Sequence, residues 1–123
     1  MDGKKTEVMG LLDTGNLLLD PVTSYPVILV LYDNVEAVLP DELKEFLKDS
    51  SDLSSHLNRR YLKRIRLIPV RNSGSGSILK GFRPDYIVIK DGKNKVIKDV
   101  VVAVTYTALS ENNEFNAILN PQL

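Results

Sequence analysis

Two unbroken apolar runs constrain this chain more than any other feature: Pro26–Tyr32 ("PVILVLY") and Val100–Val104 ("VVVAV"). Each has the length of a strand, and a short run without polar interruption reads as a strand inside a sheet. Neither approaches the roughly 18 apolar residues of a membrane span. Other segments add to a β-rich pattern. Thr6–Leu12 alternates weakly, and Leu17–Leu19 reads as a short strand before the loop Asp20–Pro26. Arg64–Val70 ("RIRLIPV") alternates charged and apolar residues; Arg71–Ser77 ("RNSGSGS") is a glycine-serine tip, and "ILKGF" (Ile78–Phe82) follows, predicting a long hairpin. Tyr86–Lys90, the Asp-Gly turn Asp91–Asn94 and Val96–Val104 predict a second hairpin. One helix is expected over Pro40–Lys48, with Leu43, Phe46 and Leu47 on one face. A weaker helical pattern starts at Asp52 and carries Leu53, Leu57 and Tyr61. Phe115–Leu123 closes with a last apolar run that stops at a helix start. About seven strands and one or two short helices describe one mainly β domain over residues 1–123, a length that supports a single modest core.

Composition narrows the chemistry. Sixteen basic and sixteen acidic residues cancel, so no strong field invites nucleic acid or an anionic membrane. There is no cysteine, which removes disulfides, thiolate metal sites and a thiol nucleophile. A single histidine, His56, rules out a multi-histidine metal site and is assigned no role. No metal and no cofactor are expected.

The stretch "LLDTGN" (Leu11–Asn16) admits two readings. Asp-x-Gly is ordinary turn chemistry, because Asp bonds its own backbone and Gly accepts positive φ. An Asp-Thr-Gly arises by chance in roughly 2–3% of chains of this length. The other reading is half of an aspartic peptidase site. Such an enzyme splits an amide with water, using two carboxylates about 3 Å apart that share one proton. The ionised acid takes a proton from the water while the protonated one donates to the carbonyl oxygen. The pair titrates as one unit. Asp13 would supply the carboxylate at a sharp turn, Gly15 would let a backbone N–H approach it, and the Thr14 hydroxyl would bridge the two turns. Only one such tripeptide exists, so the second acid has to come from a second chain, making a twofold homodimer.

The surrounding residues extend the match. "GLLDTGNLLLDPVTSYPVILV" (Gly10–Val30) resembles the active-site segment of the sporulation sigma-E factor-processing peptidases, the SpoIIGA family. There an apolar run, Asp-[Thr/Ser]-Gly-Asn, an Asp-Pro, and a Pro followed by aliphatics occur in this order. "RIRLIPVRNSGSG" (Arg64–Gly76), "LKGFRPDYIVI" (Leu79–Ile89) and "ALSENNEFNAILNPQL" (Ala108–Leu123) carry the resemblance over most of the chain. A Tyr is commoner in the family where Val70 stands.

The resemblance implies a C-terminal aspartic peptidase domain, cytoplasmic in the mother cell, of a membrane protease whose membrane-spanning N-terminal half lies outside these residues. Its substrate would be the sigma-E factor precursor and its trigger a forespore signalling protein. The implied fold is a retropepsin-like closed β-barrel, one half of a homodimer, with Asp13, Thr14 and Gly15 catalytic. The hairpin tip, Asn72, Ser73, Gly74, Ser75 and Gly76, would be a flap over peptide, and Ala117–Leu119 a strand threading behind the site. Retroviral proteases usually put Ala at the position of Asn16 and Gly at that of Asn120, and lack the Pro40–Lys48 helix. Asn16 is expected either to touch substrate or the opposite subunit, or to serve as a tolerant turn residue. Arg64, Arg66 and Arg71 read as the solvated face of a strand, with contact to acidic substrate residues as the alternative. A non-catalytic binding or dimerisation module, and an unrelated β domain with a chance Asp-Thr-Gly, are the competing readings of the whole chain.

Overall fold

The computed structural model describes residues 1–48, 59–72 and 75–123. Its main element is a six-stranded sheet in the order β1-β8-β2-β7-β4-β3. The strands are β1 (Gly10–Leu12), β2 (Val27–Leu31), β3 (Ile65–Asn72), β4 (Ser75–Phe82), β7 (Val101–Thr105) and β8 (Ala117–Leu119). A separate two-stranded sheet pairs β5 (Ile87–Asp91) with β6 (Lys93–Ile97).

The two apolar runs lie side by side at the centre. β2 and β7 pair in parallel over Val27–Leu31 and Val101–Thr105. A strand covered on both faces needs no polar face, which is why these segments are apolar throughout. Their side chains divide by period two. Ile28, Val30, Val102 and Val104 enter a large core with Phe82 and Ala117. Val27, Val101 and Ala103 turn the other way, into a smaller core with Ile68, against which Leu18, Tyr25, Leu29 and Leu79 pack.

Short helices cover the large core: α1 (Tyr32–Val35), a 3₁₀ turn at Glu36–Val38, α2 (Asp41–Lys48) and α3 (Arg59–Leu62). The α2 face is the expected one, with Leu43, Phe46 and Leu47 buried. Pro40 stands just before the helix rather than in it, its carbonyl accepting from the Leu43 and Lys44 N–H groups at 3.0 and 3.1 Å. The Asp52, Leu53 and Leu57 part of the second helical pattern, and His56, lie outside the described residues; Tyr61 is buried.

β4 reaches the sheet through a close approach. Gly81 lies opposite Ala103, and a β-carbon there would come within 2.6 Å of the Val102 carbonyl oxygen. Only glycine fits.

Several expectations need correction. The sheet does not close into a barrel: β1 and β3 remain at opposite edges. The second hairpin ends at Ile97, because the chain from Val101 onward pairs with β2 instead. Leu17–Leu19 forms no strand but a single bridge, Leu19 to Pro26. The β2 strand stops at Leu31, and Tyr32 opens α1, where its ring packs 5.0 Å from that of Tyr106. After Asn120 the chain makes one turn, with the Leu123 N–H on the Asn120 carbonyl at 3.1 Å. No helix among the described residues is long and apolar enough to cross a membrane.

Candidate active site

Asp13 follows β1, an edge strand whose three residues pair in parallel with β8, Leu12 lying opposite Leu119. The chain turns at once: the Asn16 N–H donates to the Asp13 carbonyl at 3.0 Å. Inside that turn the Gly15 N–H donates to Asp13 Oδ1 at 2.8 Å. A β-carbon on Gly15 would stand 3.2 Å from the same oxygen, and the residue's φ is not in the left-handed region. Its requirement is therefore proximity to the carboxylate, not an unusual backbone angle. The Asp13, Thr14 and Gly15 side of the turn faces solvent.

Large apolar residues flank it in sequence and are exposed. Met9 is 65% exposed, Leu12 60% and Leu17 64%, with Leu11 also exposed. Two cores lie beneath, yet these residues enter neither of them. Four exposed large apolar residues flanking one acid leave more apolar surface uncovered than scattered single residues would.

The far side of the turn is polar and closed. Asn16 is 7% exposed, and its amide nitrogen donates to the carbonyls of Val27 (3.0 Å) and Leu119 (3.4 Å). It faces inward, whereas Asp13 faces solvent. Asn120 is 1% exposed and donates to the Leu18 carbonyl at 2.9 Å. Asp20 is equally buried. Its carboxylate accepts from Thr23 Oγ1 (2.6 Å), the Val22 N–H (3.3 Å) and Arg66 Nε (2.9 Å).

Arg66 ties this loop to the long hairpin. The side chains of the pair are 11% (Arg66) and 0% (Asp20) exposed. The guanidinium also donates to the carbonyls of Lys63 and Ile65. Burial alone would raise the Asp20 carboxyl; the bonds from Thr23, Arg66 and Val22 outweigh it and hold the group below its ordinary range. Arg66 is thus neither solvated nor free to meet substrate. Arg64 likewise has a partner, Asp85, at 2.7 Å.

The root of the hairpin belongs to the same region, since Ile68 and Leu79 share the smaller core with Leu18. Its strands pair out to Asn72 and Ser75, and Gly76 is exposed opposite Arg71. Asn72 lies four residues beyond Ile68, about 13 Å along an extended strand. Ser73 and Gly74 lie outside the described residues. Sequence reasoning did not join Asp20 to Arg66: the first read as Asp-Pro turn chemistry, the second as the solvated face of a strand with contact to acidic substrate residues as the alternative. Asn120 was marked only as a departure from a retroviral pattern.

A profile of the sporulation factor SpoIIGA family matches residues 1–123. The sporulation sigma-E factor-processing peptidase of Priestia megaterium is 30% identical over 118 residues, covering 93% of this chain and 38% of that protein. That of Bacillus subtilis is 30% identical over 122 residues, covering 94% and 40%. A putative sporulation sigma factor-processing peptidase of Bacillus thuringiensis is 29% identical over 124 residues, covering 98% and 77%. The chain spans about two fifths of the first two relatives. No solved structure matches. The chain belongs to the sporulation factor SpoIIGA family.

Proposed function

We propose that this chain is the catalytic domain of an aspartic endopeptidase that activates the sigma-E factor precursor. It works as a homodimer in which Asp13 of each protomer supplies one carboxylate. The observation that carries this reading is the Asp13 turn itself. Its carboxylate is oriented by the Gly15 N–H at 2.8 Å and left facing solvent within exposed Met9, Leu11, Leu12 and Leu17. A second copy of the same surface covers those side chains and brings the second acid.

The chemistry follows from that juxtaposition. Two acids at close range keep one proton between them, because both cannot ionise. The charged one draws a proton from water as that water attacks the peptide carbonyl, and the neutral one protonates the carbonyl oxygen. On collapse of the tetrahedral adduct the acid that took the water proton gives it to the leaving nitrogen, while the ionised acid takes a proton from an adduct hydroxyl. The C–N bond breaks, the amine departs and the pair again holds one proton. Thr14 bridges the two turns, and Gly15 keeps its own carboxylate in plane. Substrate binds extended beside the hairpin whose tip carries the substrate-binding positions Asn72, Ser73, Gly74, Ser75 and Gly76. Asn16 acts from beneath the turn rather than on the peptide. The full-length protein carries a membrane-spanning half, sits in the mother-cell membrane with this domain in the cytoplasm, and responds to a forespore signalling protein.

The test is co-production of the full-length protein with the sigma precursor, with and without Asp13→Asn. Cleavage is expected to vanish while the folded protein still accumulates. Cleavage that persists overturns the assignment.

A further inference from the structure

We propose that Asn120, working with Asn16, is a positioning residue that sets where the Asp13 carboxylate stands. This rests on the aspartic peptidase reading above. Asn16 meets Asp13 through its backbone N–H alone, and neither carboxamide bonds the Asp13 carboxylate. Both grip the strand ends that carry its turn.

The two carboxamides interlock. Asn120 Nδ2 donates to the Leu18 carbonyl at 2.9 Å and to the Val27 carbonyl at 3.5 Å, while its Oδ1 accepts from the Gln122 N–H at 2.9 Å. Asn16 Nδ2 donates to the same Val27 carbonyl at 3.0 Å and to the Leu119 carbonyl at 3.4 Å, while its Oδ1 accepts from the Leu18 N–H at 3.3 Å. Leu18 is therefore held by one asparagine through its N–H and by the other through its carbonyl. The chain enters the turn through Leu12, paired with Leu119, and leaves it through Asn16 and Leu18, tied to Leu119 and Asn120. Both sides of the Asp13 turn are thus referred to one point, the end of β8.

Simple satisfaction of buried groups does not account for Asn120. The Leu18 carbonyl already accepts from the Val27 N–H at 3.0 Å, and the Val27 carbonyl already accepts from Asn16. Without Asn120 neither carbonyl is orphaned, and a small apolar residue would avoid burying an amide at all. What the carboxamide adds is a fixed spacing between β8, the start of β2 and the segment leaving the turn. In a twofold dyad that spacing is doubled in effect, because each protomer's error displaces its own acid relative to its mate.

The experiment compares Asn120→Ala and Asn120→Ser with the parent in the full-length protein, using the precursor as substrate and Asp13→Asn as the control. Thermal melting gives the folded fraction at the assay temperature. Expected is a fall in kcat per folded molecule of about 10–100-fold with KM changed by less than about threefold, the pattern of a misplaced reacting group. The acidic limb of the pH–rate profile also moves, since the sharing of a proton depends on the distance between the acids. Hydrogen exchange supplies a second readout that needs no turnover: amides of residues 14–18 lose protection while those of β7 keep theirs. A parent-like kcat and pH profile overturns the inference, and so does a loss of protection spread evenly over the sheet. If Asp13→Asn still cleaves, the aspartic reading itself has failed; if it is inert and the Asn120 variants are normal, only the positioning role has.

Discussion

Replacing Arg66 by Leu strands a buried carboxylate. Asp20 has a fully covered side chain, and Arg66 is the cation within hydrogen-bonding distance of it. Without the guanidinium, Thr23 Oγ1 and the Val22 N–H remain, two neutral donors to an ion removed from water. Removal of one partner of a buried pair costs about 3–5 kcal/mol. For a domain of this size that lowers the melting temperature by on the order of 10–20 °C. The cost depends on pH in a calculable sense. In the parent the folded-state pKa of Asp20 lies below its ordinary 3.8, so its stabilising contribution is present above that value and lost as pH falls through the folded-state pKa. In Arg66→Leu the burial contribution, the largest acting on this group, loses the hydrogen bond and charge of Arg66 while Thr23 and Val22 still oppose it, and the carboxyl moves upward. The variant therefore gains less stability than the parent as pH rises. The difference between the two is smallest near pH 3 and widens to its full value by pH 7. Urea melts of both proteins at several pH values measure it directly. A difference that is independent of pH, or that stays under about 1 kcal/mol at pH 7, refutes the reasoning.

Three further outcomes follow from single contacts. Gly81→Ala forces a β-carbon to within 2.6 Å of the Val102 carbonyl and should cost about 1–3 kcal/mol in chemical denaturation, because backbone on both sides has to give. Gly15→Ala places a methyl group 3.2 Å from Asp13 Oδ1; the expected result is loss of cleavage by tenfold or more with a melting temperature near that of the parent. Leu12→Glu puts a charge on a side chain 60% exposed beside Asp13, and sedimentation should show self-association of the full-length protein weakened by tenfold or more without loss of the fold.

What could be read from the sequence was whatever depends on local pattern. The runs Val27–Leu31 and Val101–Thr105, the α2 face of Leu43, Phe46 and Leu47, and the Asp-Gly turn between β5 and β6 are all set by residues within one or two turns of chain. Partnership between distant segments was not visible. Val96–Val104 read as one long strand because nothing local marks the point where pairing with β5 gives way to pairing with β2. The clearest misreading is the phase of β3. Arg66 read as the solvated face of the strand, yet its side chain is 11% exposed, while Leu67 beside it is 40% exposed. The reason is Asp20, forty-six residues earlier, which neutralises the arginine on the face it shares with fully buried Ile68. The Asp13 turn was recognisable because its chemistry is compressed into three residues. The carboxamides behind it were not, because Asn120 meets Leu18 and Val27 only once β8 has entered the sheet beside β2.

The claim on which the rest depends is that one active site takes an Asp13 from each of two chains. Mixing parent and Asp13→Asn full-length protein in known proportions, under conditions where protomers exchange, tests it most directly. If both acids are required, cleavage of the precursor falls with the square of the parent fraction, to about one quarter at equal proportions, because only dimers of two parent chains work. A fall in direct proportion to the parent fraction, to about one half, would mean that each chain cuts without help from its mate, and would contradict the account.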